Sequence, residues 1–445
     1  MAAFPTMKVF ILASILTFVF CDIEKRDLKT WSWPDCEKYN ETICNEAKQN
    51  GSIVIYVKAS SESNDNLHYV FSTIGGPSVV VLRTTNVNAN LTFNWEKLLQ
   101  YNNSLIDGAI TFSDPQPNIE YKFAVVFTRL LEYDDTDDSA DLDYCEKHLN
   151  LTSWNIRDFS MFHWSSDDLK VNASTNTFVF NSTSDVMIKT NETRNGSISF
   201  AFSVKHDNGR ASDLPRMLYI ANETMFDFVI ANYTPSFNNS RFALEVVVVS
   251  LSNEAASADM SVDLTKSIDD EYTPGVFEII DWLTNPKQSH ISGFFQWKPV
   301  SYISLPRGRN TATKVEHSDL KNVDKSSSSA KLLNNTVLLA VFNESLWNGK
   351  TVKRMANISF GLPKDGFYIK NNYTAWTAAI GYGTPPADSI SITVIITISA
   401  GLGLPVLIII VGGIYSIIRK MRKRSSGYEP INAGSINRNY TQQSD

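Results

Sequence analysis

The sequence predicts a mostly β protein: an antiparallel β-sandwich region, of one or two domains, followed by a single C-terminal transmembrane helix. Three observations carry this. "SISFAFSVK" (197–205) sets Ile198, Phe200, Phe202 and Val204 in alternation with Ser199, Ala201 and Ser203, the period of a strand with one buried face. "RFALEVVVVSL" (241–251) is rich in β-branched residues and apolar on both faces in its second half, as in a sandwich interior. Residues 390–418 carry no charge, and as a helix those 29 residues would extend ~44 Å, against a hydrocarbon core of ~30 Å.

In chain order, residues 1–21 read as a secretory signal peptide. Lys8 gives a positive flank, Val9 to Phe20 is apolar, and the small Val19 and Cys21 place cleavage after residue 21. An uncleaved anchor is the alternative. Within residues 22–389, "IVIYVKA", "YVFSTI", "SVVVLRT", "FAVVFTRLLEY" and "ANISFGL" repeat the strand pattern between clusters of Gly, Pro, Asn and Ser. "VFEIIDWL" (276–283), after the Pro274-Gly275 turn, predicts a short helix. "RGRNTATKVEHSDLKNVDKSSSSAK" (307–331) has few apolar residues and predicts a long mobile loop. The acidic "DDTDDSADLD" (134–143) lacks the central Gly of an EF-hand loop and reads as a solvated turn.

Residues 390–418 are the predicted span, and residues 419–445 a short tail. Arg419, Lys420, Arg422, Lys423 and Arg424 follow the span at once, and basic flanks stay cytosolic. With a cleaved signal this gives a type I membrane protein with residues 22–389 on the lumenal side. The chain carries −7 overall, of which the tail holds +4 and the signal +1, so −12 falls on the region between. That balance excludes nucleic acid as a partner of the whole molecule. It also makes "RKMRKR" a topological signal rather than a nuclear one.

The triplet Asn-x-Ser/Thr, the acceptor of N-linked glycans, starts at Asn40, Asn50, Asn90, Asn102, Asn150, Asn172, Asn181, Asn191, Asn195, Asn222, Asn232, Asn238, Asn334, Asn343, Asn357 and Asn372. Sixteen such sequons before the span predict dense N-glycosylation. None starts between Asn238 and Asn334. Core strands that cannot carry sugar are the preferred explanation, and a sugar-free face for a partner is the other. After loss of Cys21 with the signal, Cys36, Cys44 and Cys145 remain. A local Cys36–Cys44 disulfide is favoured among three pairings, with Cys145 as the odd thiol.

Motifs of catalysis are not found. The six His include no pair at i, i+4, and there is no His-Glu-x-x-His, Gly-x-Ser-x-Gly or cysteine-protease signature. No cofactor or metal is indicated. Carboxylate pairs that meet only in three dimensions keep a membrane-tethered lysosomal hydrolase as the alternative function. In the span, Ser399 with Gly403 and Gly412 with Ser416 are spaced so that another helix, from a partner or a second copy of this chain, could approach closely. Pro405 lies between the two pairs. In the tail, "GYEPI" sets Gly427 before Tyr428 and Ile431 three residues further on. Such a segment binds as an extended strand with two side-chain pockets. It resembles the tyrosine-based signals read by clathrin adaptors, in their lysosomal form.

More broadly, "LHYVFSTIGGPSVVVLRTTN", "FAVVFTRLLEYD", "SIDDEYTPGVFEI", "FFQWKPVSY", "GYGTPPADS" and "YEPIN" resemble the glycosylated lysosomal membrane protein family. These stretches run from about Leu67 to Asn432. Residues 22–50 lie outside them, so no cysteine pairing comes with the resemblance. It implies a non-enzymatic role, as the accessory subunit of a lysosomal transporter of the major facilitator superfamily, which it shields from proteases. A nuclear co-regulator, the remaining rival, conflicts with the signal peptide and the span.

Overall fold

The computed structural model describes residues 25–33, 41–62, 65–99, 106–165, 171–172, 176–183, 195–251, 260–266, 273, 275–349, 351–387 and 392–425. The predicted signal peptide (1–21) and the predicted tail motif lie outside them. Contacts divide the chain into two units, residues 1–388 and 389–445.

In the first unit the principal strands are β1 (Arg26–Trp33), β2 (Val54–Ser61), β3 (Asn66–Ser72), β4 (Ser78–Thr84), β5 (Ile119–Asp134), β6 (Trp154–Asp158), β7 (Thr177–Thr183) and β8 (Ser197–Val204). They continue as β9 (Glu223–Ala231), β10 (Ser240–Leu251), β11 (Ser261–Lys266), β12 (Glu278–Leu283), β13 (Gly293–Tyr302), β14 (Ala312–His317), β15 (Thr351–Phe360) and β16 (Tyr373–Tyr382). The helices are α1 (Glu41–Asn50), α2 (Trp95–Leu99), α3 (Leu142–His148), α4 (Ser328–Leu333) and α5 (Val337–Phe342).

All pairings are antiparallel, and with the short strand Lys321–Asn322 they make one 17-stranded sheet that curls into two layers. The first layer runs β1-β2-β3-β4-β5-β10-β15. The second runs β7-β8-β9-β16-β13-β12-β11. β14 pairs with β13 of one and β15 of the other, so hydrogen bonds join the layers.

Alternation along each strand sorts side chains between two cores. Ile198, Phe200, Phe202 and Val204 of β8 enter the core between the layers, with Val246 and Val248 of β10. Val247 and Val249 face the other way, into a second core closed by α1, α2, α4 and α5. That cover is why β10 is apolar on both faces. Each buried Val or Phe contributes about 1.5–3 kcal/mol relative to exposure. The inter-layer core is aromatic. Trp282 and Trp297 lie 5.0 Å apart at 83°, and Trp376 lies edge-on to Phe226 at 5.5 Å and 89°, the favoured geometry for ring quadrupoles. Where β13 begins, a Cβ on Gly293 would strike the Phe123 ring of β5, so only glycine lets the layers close there.

Three expectations change. The "VFEIIDWL" stretch forms strand β12, paired on both sides by β11 and β13. Pairing on both edges outweighs the helical pattern, because as strand residues Ile280 and Trp282 complete the aromatic core. Residues 307–331 are ordered: Val315 and Val323 anchor them, and Ser327 of the four-Ser run caps α4 by accepting from the Ala330 N–H. The acidic stretch 134–143 is only partly solvated. Buried Asp135 accepts from Arg241 Nε at 2.7 Å, Asp138 accepts from Arg241 Nη2 at 2.7 Å, and Asp365 accepts from Nη1 at 2.9 Å. Asp141 caps α3 through the Tyr144 N–H.

The second unit holds α6 (Ile392–Ser425), which runs on through Pro405 and into the basic residues beyond the predicted span. Gly401–Arg422 is its stretch long and apolar enough to cross a membrane.

Arg241 is 3% exposed, so removing its charge strands the carboxylates of Asp135, Asp138 and Asp365. Arg241→Met is therefore expected to cost about 3–5 kcal/mol. Chemical denaturation of the detergent-solubilised protein checks this; a loss below about 1 kcal/mol would mean that the cluster behaves as a surface network.

Candidate functional site

The predicted glycan acceptors sit mostly where the chain turns. Asn90, Asn150, Asn172, Asn195, Asn232, Asn238 and Asn343 are exposed, and Asn50, Asn181, Asn222, Asn334 and Asn372 are half-buried. Asn40, Asn102 and Asn191 lie outside the described residues. Asn232, Asn343 and Asn372 have φ near +50°, a backbone region that asparagine tolerates better than most residues. Several already use Oδ1: Asn334 accepts from Trp347 Nε1 at 2.7 Å, Asn222 from Arg26 Nε at 2.5 Å, and Asn90 from Lys58 Nζ at 3.1 Å. A glycan attaches at Nδ2, so these bonds are compatible with one. Asn357 is the exception among the described acceptors, buried in mid-strand at 7% exposure.

The interval without sequons divides into two parts. β10, β12 and β13 are buried, and no glycan could leave them. β11 is different: it pairs with β12 and its residues beyond Ser261 are exposed, including Val262 at 39% and Leu264 at 54%. Opposite them stand Trp282 and Ile280, so Val262 and Leu264 continue the core face of the layer past its covered end. Phe277, just before β12, is 47% exposed.

On the outer face of the first layer, the ends of β6, β5, β10 and β15 form a groove of about 740 Å³. A β-bulge sets its floor. Glu245 pairs with Arg129 and Val246 with Phe127, so Thr128 is the extra residue. Thr128 Oγ1 donates to Glu245 Oε1 at 2.6 Å. Arg129 bridges Asp158 at 2.8 Å and Glu245 at 2.9 Å, and Asn357 stands opposite Glu245 on the next strand. Asn357 was marked by the sequence as a glycan acceptor, but Thr128, Arg129, Asp158 and Glu245 were not marked as functional. The alternation in "WNIRD", which puts Trp154, Ile156 and Asp158 on one face, is the signal that could have found them.

Other buried titratable groups lie away from the groove. Burial pushes the Asp281 carboxyl up to about 6; the Gln296 hydrogen bond at 2.8 Å opposes this and Asp263 across the strand pair adds to it. Glu223 is fully buried, which holds its carboxyl well above the usual range. Burial, with Lys58 nearby, pushes the His68 imidazole down to about 3; it bonds Tyr56 Oη at 2.7 Å and Thr84 Oγ1 at 2.9 Å. Cys145 is a free, buried thiol pushed up to about 11 by burial, so it is not a reactive thiolate. Cys44 is disulfide-bonded, and Cys36 lies outside the described residues. Among the described residues, no group of three or more His, Cys, Asp or Glu could hold a metal ion.

In α6, Gly412 and Ser416 are exposed and Gly403 is partly so; Ser399 lies in the same helix. Gly427, Tyr428 and Ile431 lie outside the described residues.

A β-sandwich unit and, among the described residues, one C-terminal helix long and apolar enough to cross a membrane define the class: a membrane protein of mostly β structure. The family described as glycosylated lysosomal membrane protein matches residues 53–423, and the chain belongs to it. Glycosylated lysosomal membrane protein A of Xenopus laevis is 34% identical over 384 residues, 85% of this chain and 89% of its own length. The Danio rerio protein of the family is 35% identical over 371 residues, 83% and 85% of the two chains. The Homo sapiens protein is 30% identical over 376 residues, 83% and 84%.

The shifts at Asp281 and His68 oppose each other in acid. The folded pKa of Asp281 is raised, so its stabilisation is complete below the unfolded value and lost as pH rises through about 6. The folded pKa of His68 is depressed from 6.5, so its stabilisation is present above that value and lost as pH falls towards about 3. From about pH 7.5 to about pH 5 the first gains about 1.4 kcal/mol and the second loses about 2. Asp281→Asn is expected to steepen the loss of stability on acidification and His68→Gln to flatten it. Unfolding midpoints at the two pH values check this; equal slopes in both variants would contradict it.

Proposed function

We propose that this chain is a non-enzymatic accessory subunit, a type I glycoprotein of the lysosomal membrane. In this reading it stabilises a multi-span transporter of the major facilitator superfamily and shields it from proteolysis. The observation that carries the reading is the family match over residues 53–423, which takes in the β unit and the apolar helix together. One apolar helix encloses no polar path, which favours packing against a transporter over transport by this chain itself. The five basic residues after the span support a cytosolic tail. The sequons support a lumenal β unit whose glycans hinder proteases sterically. The exposed edge of β11, with Val262 and Leu264, is the part of the sequon-free interval suited to a partner, and Gly412 with Ser416 suits a second, intramembrane contact.

Routing tests the tail. Tyr428→Ala removes the ring that fills an adaptor pocket, so surface biotinylation is expected to recover the variant at the cell surface. A variant that stays wholly lysosomal would remove the sorting role.

The partner contact is tested by adding sugar. Asp263→Asn creates the sequon Asn-Leu-Thr on exposed β11 with one substitution. Ala312→Thr creates one at the exposed Asn310 and serves as the control. A verified glycan at position 263, or Gly412→Leu in the span, is expected to reduce co-purification of the transporter in mild detergent and shorten its half-life. If both leave these unchanged while glycosylation is confirmed, the contact lies on another face.

A further inference from the structure

Asn357 is unlike the other described acceptors. It sits inside β15, with Glu245 of β10 on one side, and on the other its N–H donates to Ser318 Oγ at 3.0 Å while its C=O accepts from the Ser318 N–H at 2.9 Å. Its side chain lines the groove over β5, β10 and β15. Nδ2 donates to Glu146 Oε1 of α3 at 3.0 Å, and the buried Oδ1 has no partner. One wall of the groove is apolar: Leu151 is 92% exposed, Ile156 57%, and Trp154 stacks on Tyr133 at 5.3 Å. The floor is polar, with Arg129, Glu245 and Glu146. An aromatic and aliphatic wall over hydrogen-bonding groups suits a pyranose, which has apolar C–H faces and a polar rim. At about 740 Å³ the groove falls within the range of about 300–1,000 Å³ for ligand-sized sites, room for a disaccharide.

We propose that Asn357 carries an N-linked glycan whose first N-acetylglucosamine residues lie in this groove, making the glycan stem part of the folded β unit rather than of its outer coat. This rests on the lumenal placement proposed above. The donor is a lipid-diphosphate-linked oligosaccharide. Asn357 Nδ2 bonds to C1 of the first sugar, the C1–O bond to the diphosphate breaks with its electron pair leaving on the diphosphate, and the amide gives up one proton. Transfer occurs on the unfolded chain, because β15 buries the acceptor once it pairs. The folded strand then presents the stem to the groove that the Asn357 side chain lines. The second N–H of the amide remains available to Glu146, and the sugar's acetamido group lies within reach of the unpartnered Oδ1 and the charged floor.

The test uses the full-length protein purified from cell membranes in mild detergent. Peptide N-glycosidase in ¹⁸O-water converts each glycosylated Asn to labelled Asp, which mass spectrometry reads site by site, before and after denaturation. Asn90, Asn150, Asn238 and Asn343 are expected to convert in the native protein, and Asn357 only after denaturation. Trp154→Ala keeps the triplet but removes the wall, and is expected to speed native release at Asn357 by at least about tenfold. Asn357 recovered unmodified while the exposed sites convert would overturn the proposal alone. Native release at the rate of the exposed sites, or unchanged protection in Trp154→Ala, would likewise refute the seat. Conversion at none of the sites would overturn the lumenal placement as well.

Discussion

Everything in the β unit depends on the pairing of β5 with β10. These two strands share twelve residue partners, from Ser240 with Asp134 to Leu251 with Lys122. Both are covered on two faces, so each side chain they contribute must fit one core or the other. On the inner face, Phe123, Val125 and Phe127 meet the aromatic layer opposite. On the outer face, Ala124, Val126, Val247 and Val249 take the helices. A one-residue slip would exchange these two sets and expose neither core to its proper cover. The bulge at Thr128 is the one irregularity in this pairing, and it is there that polar residues replace apolar ones and the groove opens.

Charge inside the unit is handled in two ways. Arg241 and Arg129 are each met by more than one carboxylate, so their burial leaves no uncompensated ion. Asp281, Glu223 and His68 instead have their charged forms penalised by burial. Their responses to acid partly cancel. Asp281 and Glu223 favour the fold as the surroundings turn acidic, and His68 opposes it.

The sequence disclosed strands better than their surroundings. β4 coincides with "SVVVLRT" and β8 with the alternating "SISFAFSV", because burial on one or two faces writes a period of two into the residues. "VFEIIDWL" misled because its apolar residues also fit a helical face; only its position between two partners decides the matter. Residues 307–331 looked too polar to order because two valines and a serine cap suffice to hold a segment that lies along a strand edge. The triplet at Asn357 looks like any other, since burial depends on β10 and α3, more than a hundred residues away. The groove's charged floor was illegible for the same reason: Arg129, Glu245 and Glu146 meet only after a long-range pairing forms.

The position of β16 sets the order in which the unit can be completed. It is the last strand among the described residues, yet it lies in the middle of its layer, between β9 and β13. Until Tyr373–Tyr382 has been synthesised, β9 and β13 each lack a neighbour and the aromatic core lacks Trp376. Only nine residues then separate Tyr382 from the start of α6. The growing chain therefore reaches its closing strand and its apolar helix almost together. Closure of the layers and delivery of the helix become near-simultaneous steps of biosynthesis, and until then the earlier strands wait with open edges.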